Sequence, residues 1–172
     1  MTHLNVEIKA KCNQPEVIRK YLRQNKAEFK GIDYQTDTYF NVKNGRLKLR
    51  EGNIENSLIY YQRHDQPNAK GSSFQLVNVP DAKALKDILI KSSGIKVIVE
   101  KKREIYFIKN VKFHIDEIAD LGNFIEIEAS NLYADVFKEE LLKQCNFYLK
   151  EFGINGEDLI AASYGDMLMA KV

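Results

Sequence analysis

Asn5-Val6-Glu7-Ile8-Lys9-Ala10-Lys11 alternates with a period of two between an apolar set and a polar, mostly charged one. Such alternation marks a strand with two unlike faces. Val6, Ile8 and Ala10 form the side that packs; Asn5, Glu7, Lys9 and Lys11 form the other. The same pattern returns in Arg46-Leu47-Lys48-Leu49-Arg50, in Lys112, His114 and Asp116 against Val111, Phe113 and Ile115, and in Glu126 and Glu128 against Ile125, Ile127 and Ala129. These strands carry more charge than solubility requires, and they mix carboxylates among the cations.

Between the alternating segments the chain supplies turns and three helices. Asn13-Gln14-Pro15-Glu16 reads as a helix start, with Asn13 as the cap and Val17, Ile18, Tyr21 and Leu22 as its apolar stripe. A strand from Asp33 to Val42 meets Asn44-Gly45, the signature of a tight hairpin. Ser57 to His64 and Ser73 to Val79 read as strands around a polar loop from Asp65 to Gly71. Pro80-Asp81 opens a second helix carrying Leu85, Ile88 and Leu89 and closed by Gly94. Ile95 to Ile108 is a long strand whose sides offer a pairing surface for a second copy of the chain, so a homodimer is an expectation. Phe137, Leu141, Cys145, Tyr148, Leu149 and Phe152 then mark a third helix ended by Gly153. The fold class is α+β: eight strands, with helices after the first, the fifth and the last.

The chain has 172 residues, 44% hydrophobic and 29% charged, with a formal net charge of +2. That suits one domain over 1–172 and argues against nucleic-acid binding driven by bulk charge. Cys12 and Cys145 share no metal-ligand spacing with His3, His64 or His114, which argues against a zinc site and leaves a disulfide unneeded. With no apolar signal region and no run near ~18 apolar residues, the expectation is a cytoplasmic protein without membrane contact.

Three amphipathic helices need an apolar surface, and the Val/Ile/Leu side of the strands is the one large enough. Helices there force the charged face away. Eight hairpin-linked strands can curl into a closed antiparallel barrel, which removes sheet edges and encloses that face. By parity the enclosed set is Glu7, Lys9, Lys11, Arg46, Lys48, Arg50, Arg63, Lys101, Arg103, Lys112, Asp116, Glu126 and Glu128. Burying unpaired charges costs several kcal/mol each, so this reading demands a wet lumen and a highly charged guest. Cations with a few clustered carboxylates suit a polyphosphate carrying a divalent metal.

Taken singly, the basic ladder at 46–50 and Glu126-Ile127-Glu128 each fit a solvated sheet face, and Lys101-Lys102-Arg103 has Glu100 and Glu104 beside it. What favours the site is that one parity rule gathers all of them. His114 reads as a hydrogen-bonded barrel histidine, Tyr39, Tyr61 and Tyr164 as packing residues, and Cys145 as core.

These residues resemble the CYTH superfamily, named for class IV adenylyl cyclases and thiamine triphosphatases. The likeness runs through Asn5-x-Glu7-x-Lys9, Arg46-x-Lys48-x-Arg50, Arg63, Lys101-x-Arg103, His114-x-Asp116, Leu121-Gly122-x-Phe124-x-Glu126-x-Glu128 and Ser163-Tyr164-x-Asp166-Met167-Leu168. It implies a tunnel in which Lys9, Lys11, Arg46, Lys48, Arg50, Arg63, Lys101 and Arg103 hold a triphosphate such as ATP or polyphosphate. Glu7, Asp116, Glu126 and Glu128 would hold Mg²⁺ or Mn²⁺, and turnover would depend on Glu7, Lys9 and Arg103. The motif order is most similar to the class IV cyclases, which make cyclic AMP and pyrophosphate. The alternatives are hydrolysis of an inorganic or organic triphosphate and non-catalytic triphosphate sensing. One position departs from the family's Glu-x-Glu-x-Lys opening: Asn5 stands where the first Glu would be, and an amide holds a divalent cation more weakly than a carboxylate.

Overall fold

The N-terminal alternating stretch is β1 (His3–Lys11), and its two faces separate as its sequence requires: Val6, Ile8 and Ala10 are buried under helices, while Glu7 and Lys9 line an internal cavity. The computed structural model describes residues 3–62, 70–132 and 135–171. After β1 come α1 (Pro15–Gln24), β2 (Glu28–Phe40), β3 (Arg46–Glu51), β4 (Ser57–Gln62), β5 (Lys70–Asn78), α2 (Ala82–Ser93), β6 (Ile95–Ile108), β7 (Val111–Ile118), β8 (Gly122–Ser130), α3 (Lys138–Glu151) and α4 (Tyr164–Met169). The strands close in the order β1-β5-β4-β3-β2-β6-β7-β8, every neighbour antiparallel. Closure leaves β6 paired on both sides, with β2 and β7. β2 pairs with β6 from Ile95 onward, whereas β7 pairs only with residues 101–108 of β6.

Helices cover the outer apolar faces. α1 and α3 press Ile18, Leu22, Leu141 and Cys145 onto Val6, Ile8, Phe113 and Ile127. α2 lies over Phe40 and Leu49 through Leu85 and Leu89. Leu47 and Leu49 thus face out under a helix, which sends Lys48 and Arg50 inward. Four local expectations fail, one of them Val17 of the α1 stripe, which is exposed. α1 is preceded by Gln14 rather than capped by Asn13, because Pro15 occupies its first turn and no side chain caps it. Phe137 precedes α3 and is 83% exposed, and Ile88 on α2 is 62% exposed. Periodicity had placed both in the core. Cys12 and Cys145 are buried free thiols.

Candidate functional site

The inward faces enclose a cavity of about 910 Å³, within the size range of small-molecule sites. Its wall is sorted by strand. β8 and β1 contribute Glu126, Glu128, Glu7 and Asn5; β5 and β4 contribute Phe74, Leu76 and Ile59; β3 and β6 contribute Lys48, Arg50, Lys101 and Arg103. β7 closes the circle with Lys112 and His114. An acidic sector, a neutral one and a basic one therefore follow each other around a single lumen.

The basic sector is organised by Asp37, a fully buried β2 residue. Arg50 donates Nε and Nη2 to its two oxygens at 2.8 and 2.9 Å, while Lys48 and Lys101 donate at 2.9 and 2.7 Å. Burial alone would raise the Asp37 pKa, but Arg50, Lys101 and Lys48 together hold it well below the usual carboxylate range. Burial in turn pushes Lys101 well down, an effect Asp37 only partly offsets.

In the acidic sector Arg103 is the connector. Its Nε and Nη2 donate to Asp116 at 2.7 and 2.6 Å, and Nη2 reaches Glu126 at 2.9 Å. Lys9 sits 3.3 Å from the other Glu126 oxygen and 4.0 Å over the Tyr164 ring. Despite its burial, Arg103 and Lys9 hold Glu126 well below the usual range. The His114 Nδ1 lies 3.1 Å from Glu126. Burial first, then Arg103, lowers this histidine to about 4, so the ring is neutral at pH 7 and Nδ1–H donates to the carboxylate. Its Nε2, left with the lone pair, has no hydrogen-bond partner among the described residues.

One end of the lumen is floored by the segment leading into α4. Ser163 caps that helix through a reciprocal pair with Asp166, and the Tyr164 hydroxyl donates to Asp116 at 2.8 Å. Gly165 passes so close to β6 that an added Cβ would stand 2.9 Å from Val97 Cγ1. Gly165→Ala should therefore cost about 1–3 kcal/mol in chemical denaturation, because the added methyl forces Val97 or the backbone to shift.

Most of the residues expected from the sequence converge here: Glu7, Lys9, Lys48, Arg50, Lys101, Arg103, Glu126 and Glu128 all line the cavity. Lys11 does not. It is exposed beside Cys12 and Asn13 in an outer depression, since β1 runs past the point where Ile160 bonds to Lys9 and closes the lumen. Arg46 stands at the rim, 3.0 Å from Asp166. Asp116 lies behind the wall with both oxygens taken by Arg103 and Tyr164, which makes it a support for Arg103. Arg63 lies outside the described residues. The sequence reading missed Asp33, Gln35, Asp37 and Glu55. The first three share one parity of β2, but neither face of that strand is apolar, so alternation does not name its inward side; Glu55 lies in a turn and has no period to betray it.

This inventory also revises the expectation of uncompensated charge. Each cation lining the cavity has an acidic partner: Lys9 and Arg103 have Glu126, Lys48 and Lys101 have Asp37, Lys112 has Glu55, and Arg50 has both Asp37 and Glu55. The lumen's own acids thus neutralise its cations.

A divalent cation fits one part of this wall. Glu7 and Glu128 face each other directly across the β1–β8 ladder, on the lumen side. Like charges so placed repel, and an oxygen-only pair open to a phosphate chain is what Mg²⁺ uses, since it keeps several waters and binds one or two carboxylates plus phosphate oxygens. Among the described residues no group of three or more His, Cys, Asp or Glu side chains is placed to hold a metal ion.

The CYTH domain model matches residues 3–164. This chain belongs to the CYTH family. CYTH proteins are metal-dependent and bind triphosphates. A Methanocaldococcus jannaschii protein provisionally named an adenylate cyclase is 26% identical over 171 residues, covering 94% of this chain and 96% of its own. Among solved structures, the PH1012 protein of Pyrococcus horikoshii superposes with a TM-score of 0.80 at 24% identity, covering 94% of this chain and 98% of that one. A Hippeastrum protein, provisionally named an adenylyl cyclase and described as having a dominant triphosphatase activity, superposes with a TM-score of 0.66 at 12% identity over 98% of this chain and 96% of its own. At such identities the two structural likenesses speak for the CYTH fold. No helix among the described residues is long and apolar enough to cross a membrane.

Proposed function

We propose that this CYTH protein is a metal-dependent enzyme acting on a nucleoside triphosphate, with the adenylyl cyclase reaction, ATP to cyclic AMP and pyrophosphate, as its activity. The observation that carries this reading is the sorted wall. Lys48, Arg50, Lys101 and Arg103 offer the charge a triphosphate needs, Glu7 and Glu128 offer a place for its metal, and Ile59, Phe74 and Leu76 offer an apolar surface. Inorganic polyphosphate has no use for that surface; a nucleoside does. Bound at Glu7 and Glu128 with Glu126 near, Mg²⁺ or Mn²⁺ would supply charge neutralisation at the α-phosphate. Arg103 and Lys9 hold their positions through Asp116, Glu126 and Tyr164, preorganised to stabilise charge on the departing pyrophosphate. No side chain is assigned as general base.

A second reading, hydrolysis of the same triphosphate by water, is supported by the likeness to the Hippeastrum protein. Incubation with ATP or tripolyphosphate and Mn²⁺ separates the two. Cyclic AMP with pyrophosphate is the expected product; orthophosphate from ATP would favour hydrolysis, and from tripolyphosphate alone it would overturn the role of the neutral wall. Tight binding without turnover would make the protein a sensor, with Asn5→Glu as the variant to test for restored chemistry.

A further inference from the structure

The acids that neutralise the cavity are of two kinds. Asp37 and Asp116 are built into the wall and fully buried. Glu126 and Glu55 are not: their side chains keep 14% and 24% of their surface exposed. Glu126 belongs to the expected metal set, but Glu55 comes from the β3–β4 turn and has no part in the proposed chemistry. Its carboxylate lies between two cations from different strands, 3.0 Å from Arg50 Nη1 on one side and in contact with Lys112 Nζ on the other. Gln35 donates a further hydrogen bond at 3.2 Å. An anion held by a guanidinium, an ammonium and an amide has the environment of a bound phosphoryl group.

The turn is constructed to deliver it there. Asp33 accepts from the backbone of Ile54 and Glu55 at 2.9 and 3.0 Å, and Gly52 and Asn56 bond to each other reciprocally. A side chain at Gly52 would collide with Asp33, 2.5 Å away. Backbone anchoring of this kind fixes where the Glu55 carboxylate is presented to Arg50 and Lys112.

We propose that Glu55 occupies a phosphate subsite formed by Arg50 and Lys112, and that a phosphoryl group of the incoming triphosphate displaces it. The inference rests on the triphosphate reading of the same cavity. Glu55 then acts as an internal competitor: it keeps the empty tunnel neutral, and its return to Arg50 and Lys112 helps to expel a phosphate product that a cationic tunnel would otherwise retain.

The test measures tripolyphosphate binding by calorimetry, in EDTA so that metal plays no part, for the unaltered protein and for Glu55→Gln. Expected is binding about tenfold tighter in the variant, as a competing charge is removed without loss of volume. Thermal melting without ligand gives the second readout: the variant melts lower when empty and gains more on adding tripolyphosphate. If the unaltered protein binds and the variant binds equally or more weakly, the subsite is wrong while the triphosphate reading stands. If neither binds, both fall together.

Discussion

Asp37→Asn should destabilise the empty protein by about 3–5 kcal/mol, the scale set by leaving buried charges without their partner. No other acid bonds to Lys48 or Lys101 among the described residues, and Arg50 loses its bidentate contact and keeps only Glu55. The loss should be repaired by the guest: tripolyphosphate at a hundred times its dissociation constant adds about 2.7 kcal/mol, and the increment should be larger for the variant than for the unaltered protein. Its pH dependence has a defined sign. Because the folded-state pKa of Asp37 is depressed, its stabilising effect is complete above the ordinary carboxylate value of ~3.9 and is lost as pH falls through its own lower value. Asp37→Asn should flatten that acid limb in urea denaturation measured from pH 7 downward. Unchanged stability at neutral pH would show that the three cations do not depend on Asp37.

The reason Asp37 escaped the sequence reading is instructive. Period-two alternation reveals a face when apolar and charged residues take turns, as in β1 and β3, and the inward positions of both strands were legible from that alone. β2 reads Asp33-Tyr34-Gln35-Thr36-Asp37-Thr38-Tyr39, in which neither face is apolar, so the pattern that names the buried side is missing. Only closure of the ring, which puts β2 between β3 and β6, decides that Asp33, Gln35 and Asp37 point in. Parity also overreached at strand ends. Lys11 and Arg46 have the right phase, yet one lies beyond the crossing at Ile160 and the other at the rim beside Asp166. Alternation tells which way a side chain points, while the length of the lumen is set by what caps it.

Glu128→Gln should separate stability from activity in opposite directions. Glu128 faces Glu7 across β1 and β8, and Lys112, its neighbour on β7, is committed to Glu55. Among the described residues Glu128 forms no ion pair of its own, so in the empty protein its charge is a source of repulsion. Neutralising it should raise stability slightly, by about 0.2–1 kcal/mol, in urea denaturation at pH 7 without metal. The same change should cut Mn²⁺-dependent turnover of ATP by about a hundredfold and raise the Mn²⁺ concentration needed for half-maximal rate. Tripolyphosphate binding in EDTA should hold or improve, because a negative charge facing the phosphates has gone. A structural carboxylate would behave otherwise, losing stability and activity together. Should Glu128→Gln leave the Mn²⁺ requirement unchanged, the acidic sector is not where the metal sits.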